Sequence, residues 1–213
     1  MKYILLERAL FHNSAKPGWR YWETWRGLSK AAKAVLPIII LHANNFTGRA
    51  FPSQTRIGEL AGLSQVSVSK AVRELNIKLN SFHILTRRQG KKSHNLYEYQ
   101  YDQYRAVFVP SYILYRYSDL SLPAKALIPA LMFRSEPVGD HDTKTEHKIT
   151  LTKTAAAKIA GIDRHIVSKA LSELKKWGFL RQEKNTLYAQ LSTRHLVPLA
   201  KPTIATKLPD NFF

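Results

Sequence analysis

The chain has 213 residues and a formal net charge of +18, from 33 lysines and arginines against 15 acidic residues. A hydrophobic content of 45% excludes wholesale disorder, the lack of cysteine excludes disulfides and thiol catalysis, and no apolar run reaches the ~18 residues of a transmembrane helix. A chain this basic repels itself unless a polyanion neutralises it, which favours nucleic acid as the partner over an anionic membrane.

Residues 1–27 form a lead-in whose apolar start is too short for a signal peptide, so we expect a cytoplasmic, nucleoid-associated protein without a membrane partner. Trp19, Trp22 and Trp25 recur every three residues, which predicts a helical stripe packed on the first domain. A platform for stacking bases is the alternative.

A first domain is predicted over residues 28–101. Its first helix covers 29–44, with Ser29 as the N-cap and a kink or a restart at Pro37. A second helix, 54–61, ends at Gly62, and a third runs from Ser64 to about Leu79 with one buried stripe. Strands at 83–89 and 96–101 predict a hairpin with a basic tip, and three helices closed by such a hairpin form a winged helix.

Residues 102–119 are rich in tyrosine and predict an ordered aromatic linker or part of a dimer contact. A second domain is predicted over 120–191, with helices at about 122–134, 152–159 and 164–177, and with strands at 179–183 and 186–191. Residues 135–150 are expected to be a loop, and 192–213 an exposed tail.

The two domains are predicted to be copies of one unit. Thr55 to Leu75 and Thr154 to Leu174 keep one constant separation and share a Val-Ser-Lys-Ala sequence in the third helix. A repeat of this length indicates a duplicated domain. The expected fold class is therefore mostly α with small β-hairpin wings (α+β), as two tandem winged-helix domains, each with a helix shaped to enter a DNA groove.

The outward faces of the two third helices are the predicted reading surfaces. Their residue types grip adenine or guanine, touch the thymine methyl group or bind phosphate, and acidic side chains come only late in each helix. In the first helix the predicted contacts are Gln65, Val66, Ser67, Ser69, Lys70 and Arg73. In the second helix they are Arg164, His165, Ile166, Ser168, Lys169 and Ser172.

The two hairpins are predicted to contact the DNA backbone, the first more strongly than the second. The first hairpin carries Arg87, Arg88, Lys91, Lys92 and His94. The second carries only Arg181 and Lys184, with Glu183 between them.

Phe51-Pro52-Ser53-Gln54-Thr55, followed by Ala61-Gly62-Leu63-Ser64 and the third helix, resembles the winged helix-turn-helix module of bacterial regulators and of plasmid and phage replication proteins. Two unlike winged helices in one chain are similar to plasmid replication initiators of the two-winged-helix type. That resemblance implies binding to origin repeats and repression of the protein's own promoter.

Enzymatic functions are disfavoured, and we expect no cofactor and no catalytic residue. Gly90-Lys91-Lys92-Ser93 lacks the leading glycine of a phosphate-binding loop. Asp140, His141, Asp142, Glu146 and His147 have metal-ligand chemistry, but a solvated loop is the favoured interpretation.

The sequence therefore predicts a sequence-specific, double-stranded DNA-binding protein that initiates replication, with a transcriptional regulator and a nucleoid or partition protein as alternatives. If each domain reads one turn, the site spans ~20 base pairs with half-sites ~10 apart. The predicted reading surfaces of the two third helices differ, so the predicted DNA site is asymmetric. A pseudo-palindromic site is expected to require a homodimer. The tail ending in Phe212-Phe213 is a candidate contact for replication or transcription machinery.

Overall fold

The structure is a computed structural model that describes residues 3–7, 25–44, 47–89, 92–99, 106–138, 146–184 and 186–190. The first part of the chain forms β1 (Tyr3–Glu7), a 3-10 helix (Trp25–Gly27), α1 (Lys30–Leu41), β2 (Arg49–Ala50), α2 (Gln54–Ala61), α3 (Gln65–Lys78), β3 (Phe82–Gln89) and β4 (Lys92–Tyr99). The remainder forms β5 (Ala106–Pro110), a 3-10 helix (Ser111–Asp119), α4 (Leu122–Phe133), β6 (Ser135–Val138), β7 (Glu146–Ile149), α5 (Lys153–Ala160), α6 (Arg164–Lys176), β8 (Leu180–Glu183) and β9 (Thr186–Gln190).

These elements build two units of the same plan. The first unit, α1–α3 with β2–β4, has an antiparallel sheet in the order β2-β4-β3. The second unit, α4–α6 with β6–β9, has an antiparallel sheet in the order β6-β7-β9-β8. Strands β1 and β5 pair with each other, Leu5 opposite Phe108. This α+β architecture, in which helices are closed by small hairpins, confirms the predicted fold class.

Helix starts in both units use a polar side chain that accepts a hydrogen bond from the backbone, which satisfies an N–H that the helix itself cannot pair. The N-caps stand at matching positions: Ser29, Ser53 and Ser64 in the first unit, and Ser121, Thr152 and Asp163 in the second. The repeated sequence therefore specifies a repeated set of helix boundaries.

The expected loop at 135–150 is wrong, because β6 and β7 lie within it and pair through Glu136 and Lys148. Strand β7 also pairs with β9, so the second sheet gains two strands. Of β7 only Ile149 is buried, so the segment lacks the apolar alternation by which strands are recognised, and backbone pairing alone defines it.

The first hairpin is longer than expected. Strand β4 begins at Lys92 instead of Leu96, and Gln89 pairs directly with Lys92. Lys92 and His94, which were assigned to the tip, therefore occupy a regular ladder. Residues 90 and 91 lie outside the described part of the chain.

Helices α1 and α4 pack against each other at the centre of the molecule. Both are buried around nearly their whole circumference, from Ala32 to Ile40 and from Ala124 to Phe133. A helix that is apolar on all sides belongs in an interior, and here each of the two covers the other. The buried residues form one continuous cluster from Leu6 to Ala189, so the two units share a single core.

Two buried lysines each donate a hydrogen bond to a carbonyl oxygen of the other unit. Lys33 in α1 donates from Nζ to the carbonyl oxygen of Ala160, the last residue of α5, at 2.8 Å. At the matching position of α4, Lys125 donates from Nζ to the carbonyl oxygen of Ala61, the last residue of α2, at 2.7 Å. A cation is stabilised at a helix C-terminus, where carbonyl groups lack partners.

The glycines that follow α2 and α5 also contact the opposite unit. Both have φ of 63°, and a Cβ at Gly62 would lie 2.6 Å from the Ser118 carbonyl oxygen, whereas one at Gly161 would lie 2.5 Å from that of Arg26. Only glycine both adopts this positive φ readily and leaves room for the neighbouring carbonyl oxygen. Reciprocal contacts of this kind define an isologous interface, so the two units are related by an approximate two-fold axis.

The aromatic residues before α1 and α4 also cross the interface. The indole Nε1 of Trp25 donates to the carbonyl oxygen of Ala126 at 3.0 Å. The hydroxyl of Tyr117 donates to the carbonyl oxygen of Lys33 at 3.5 Å. That carbonyl would pair with residue 37 in a regular helix, but Pro37 has no N–H, and so Tyr117 replaces the missing donor. Helix α1 continues through Pro37 to Leu41.

Burial lowers the pKa of Lys33 to about 8, against an opposing contribution from Glu74. The unfolded chain keeps a proton on this lysine up to its ordinary pKa near 10.5, so between about pH 8 and 10 the unfolded state binds more protons and stability rises with pH. We expect Lys33→Met to remove a slope of at most about 1.4 kcal/mol per pH unit.

The measurement is the free energy of unfolding in denaturant at pH 7, 8, 9 and 10 for the wild type, Lys33→Met and Lys70→Met. Lys70 is exposed on α3 and serves as the matched control. Parallel pH profiles for wild type and Lys33→Met would contradict the lowered pKa of Lys33.

In the described parts of the chain, every helix is too short or too polar to cross a bilayer.

Candidate nucleic-acid interface

A tight turn joins α2 to α3 in the first unit. Gly62 takes the left-handed conformation, and the backbone N–H of Leu63 donates back to the Gly58 carbonyl oxygen at 2.9 Å. The chain then enters α3 at Ser64, whose hydroxyl accepts from the Ser67 backbone N–H at 3.3 Å. The turn joins α2 to α3, and both helices pack against the central helix α1.

Helix α3 exposes most of its predicted reading face. Gln65, Val66, Lys70 and Arg73 are exposed, and Val66 keeps 65% of its surface accessible. An apolar side chain left this open on a basic face is suited to a thymine methyl group. Ser67 and Ser69 are half-buried, and the Ser67 Oγ lies 3.0 Å from the Ser64 Oγ. Base contact by all six residues stays a prediction.

Helix α6 presents a different set at the matching positions. Arg164, His165 and Lys169 are exposed, and Ile166 is half-buried. Ser168 and Ser172 are exposed as well, although the Ser172 hydroxyl is occupied by a 3.0 Å hydrogen bond to the Ser168 carbonyl oxygen. This face, like that of α3, has the chemistry of a groove reader but a different selection of side chains.

The late acidic residues of both helices point away from these faces. Glu74 accepts from the Ser29 backbone N–H and from Lys78 Nζ, both at 2.8 Å. Partial burial would raise the pKa of Glu74, but the hydrogen bonds from Lys78 and Ser29 outweigh it and lower the pKa below its usual value. Glu173 accepts from the Ser121 backbone N–H at 2.7 Å in the same way. Glu74 thus binds the start of α1 and Glu173 binds the start of α4. Neither carboxylate lies on a reading face, and both faces therefore stay cationic.

The first wing is described in its backbone. Arg87 pairs with His94 and Arg88 with Ser93 across β3 and β4. The side chains of Arg87, Arg88, Lys92 and His94, and all of Lys91, lie outside the described residues, so their backbone contacts to DNA stay predictions.

The second wing holds its arginine in place. Arg181 Nη2 lies 2.8 Å from Glu146 Oε2, Nη1 pairs with Glu183, and the guanidinium lies 4.7 Å from the centre of the Tyr188 ring. Hydrogen bonds to the two carboxylates raise the pKa of Arg181. A phosphate at Arg181 must compete with both carboxylates, whereas Lys184 is exposed at the turn with φ of 49°. DNA contact by these two residues stays a prediction.

The structure describes part of the segment whose residues have metal-ligand chemistry. Glu146 accepts hydrogen bonds from Arg181 and from Gln190 Nε2, and His147 Nδ1 lies 2.9 Å from Ser135 Oγ. Asp140, His141 and Asp142 lie outside the described residues. Within the parts that the structure describes, no three histidine or acidic side chains gather at one point.

Sequence reasoning missed the residues that join the two units. It did not single out Lys33 and Lys125, although each lies between two alanines at a matching position of the repeat. An uncompensated lysine at the same place in both copies is the signal that could have identified them, because a buried charge needs a dedicated partner.

The helix-turn-helix geometry agrees with a comparison against family models. A model described as "Helix-turn-helix domain" matches residues 26–76, which span α1, α2 and nearly all of α3. Searches of curated proteins and of solved structures gave no match to this chain. The first unit thus contains a helix-turn-helix domain, and this supports sequence-specific DNA binding by the protein.

Proposed function

We propose that the chain is a tandem winged-helix protein whose two units read one stretch of double-stranded DNA, and that it acts as a replication initiator at origin repeats. The observation that carries the proposal is the isologous exchange of Lys33 and Lys125 between the units. It gives one polypeptide two reading helices in a fixed relation, which is what a bipartite DNA site requires.

The approximate two-fold axis sets the orientation of the two half-sites. Dimeric helix-turn-helix proteins bind inverted half-sites because their own symmetry matches that of the duplex. Here the same relation lies within one chain, so an inverted arrangement does not need a homodimer. Gln65-Val66-Ser67 faces one half-site and Arg164-His165-Ile166 the other, so the two sequences differ although the backbone frame is inverted.

A transcriptional regulator is the second candidate. It is favoured by the same two units, which together with β1, β5 and the two 3-10 helices make up the helices and strands of the described residues. Such a regulator would act by occupying a promoter. A nucleoid or partition protein is the third, and it would not select one sequence.

The deciding experiment selects binding sites from random duplexes, and then locates them in the DNA that flanks the gene. An initiator predicts several repeats of one site and autonomous replication of a plasmid that carries the gene with these repeats. The Lys70→Ala, Arg164→Ala double variant should abolish that replication. A single site that overlaps a promoter, without autonomous replication, contradicts initiation and supports the regulator, whereas failure to enrich any sequence supports the nucleoid protein.

A further inference from the structure

A cavity of about 290 Å³ lies between α5, α6 and the β8–β9 hairpin of the second unit. Its floor is formed by core residues, among them Leu131, Ala156 and Leu171, each at most 5% exposed. Its rim is polar and carries Lys153, Lys175 and the hydroxyl of Ser172, all exposed. The cavity thus combines an apolar floor with a cationic rim.

The first unit provides an internal comparison. Tyr97 pairs with Ala50 and Leu187 pairs with Ile149, so Tyr97 and Leu187 hold the same position in the two sheets. Tyr97 is fully buried, its ring lies 6.1 Å from that of Phe82, and its hydroxyl accepts from Asn95 Nδ2 at 3.4 Å.

A hollow of about 250 Å³ exists beside Tyr97, and its lining comes from the segment that leads into α2, from the first residues of α2, from the start of α3 and from β4. In the second unit, where the smaller Leu187 stands in place of Tyr97, the cavity reaches Leu131 of the central helix α4. Among the described residues, the lining of the hollow beside Tyr97 includes none from the central helix α1.

The rim selects for an anion. Lys153 is the first residue of α5, and a cation there is unfavourable because the helix N-terminus is itself positive. Lys175 Nζ is held at the rim by a 2.9 Å hydrogen bond to Gln182 Oε1. Among the described residues that line the cavity, none is acidic. An anionic group would be stabilised by both lysines and by the backbone N–H groups at the start of α5.

We propose that this cavity binds a small aryl carboxylate, with the ring on the leucine floor and the carboxylate between Lys153 and Lys175. The volume lies at the small end of ligand pockets, which start at about 300 Å³. Ser168 and Ser172 line the cavity and also belong to the predicted reading face of α6, so the ligand competes with DNA at the second unit. The competition rests on the proposed function, but the binding itself does not.

The test titrates 4-fluorobenzoate into the full chain without DNA and follows the ligand by fluorine NMR, with neutral 4-fluorobenzamide as the charge control. We expect saturable binding of the carboxylate, at least tenfold tighter than the amide. Leu187→Tyr, which introduces the residue of the first unit, should abolish binding. Lys153→Ala combined with Lys175→Ala should weaken it at least tenfold, whereas Lys158→Ala, an exposed lysine on the same helix, should leave it unchanged.

Absence of saturable 4-fluorobenzoate binding overturns the proposal, as does binding that survives both Leu187→Tyr and the double lysine variant. If the double lysine variant weakens DNA binding while 4-fluorobenzoate does not bind, the cavity holds the DNA backbone, and the proposal fails while the DNA-binding function stands. Saturating 4-fluorobenzoate that binds but leaves DNA affinity unchanged overturns the competition.

Discussion

Inserting five base pairs between the two half-sites of a selected duplex should reduce the affinity of the protein about 100-fold or more. Half a helical turn carries the second half-site to the opposite face of the DNA, where α6 cannot reach it while α3 stays bound. Only one unit then binds the duplex, and the advantage of linking two binding modules disappears. Fluorescence anisotropy at one fixed salt concentration measures the change.

An insertion of a full turn is the matched control for this experiment. It returns the second half-site to the original face but moves it ~34 Å along the duplex. Units joined by a flexible linker would recover much of the affinity. Because α1 and α4 share one core and Lys33 and Lys125 bind across it, we expect no recovery. Unchanged affinity with the five-base-pair insertion would contradict binding by both units.

Arg164→Ala and Lys70→Ala should each reduce the preference for the selected site over random DNA by about tenfold or more. Each removes a cation from an exposed reading face, and a good contact to a base edge contributes about 1–3 kcal/mol of discrimination. Competition titrations with cognate and random duplexes measure the ratio. Lys158→Ala carries the same charge change outside the predicted face and should leave the ratio unchanged.

The wing variants should behave differently. Lys91→Ala combined with Lys92→Ala should weaken all duplexes alike and flatten the slope of log affinity against log salt by roughly 0.9 for each phosphate that the variant no longer neutralises. Equal reductions in affinity for cognate and random DNA with Arg164→Ala would place that residue with the wings and refute its base-reading role.

The local features of the fold were predictable because they follow from short-range rules. Ser53, Gly62 and Ser64 define the helix-turn-helix by capping and by left-handed backbone, and the buried stripe of α3 follows from its period. Strands β6 and β7 were not predictable, because their residues are mostly polar. In addition, β7 joins the sheet by pairing with β9, which lies about 40 residues further along the chain.

The arrangement of the two units could not be predicted from the sequence either. The basic character of the reading faces was visible in Lys70 and Lys169, but nothing local indicates that Glu74 and Glu173 bind the starts of α1 and α4. The exchange of Lys33 and Lys125 joins residues that are far apart in the chain. Long-range contacts of this kind determine whether the half-sites are direct or inverted.

The central claim is that one chain binds a bipartite duplex site through the different reading faces of α3 and α6, which an approximate two-fold axis relates. Hydroxyl-radical footprinting on a selected site, with the number of chains per duplex counted by native mass spectrometry, tests it most directly. The account predicts one chain that protects ~20 base pairs, with two half-sites of opposite orientation and different sequence. Protection confined to ~10 base pairs, or a ~20-base-pair footprint that needs two chains, would contradict it.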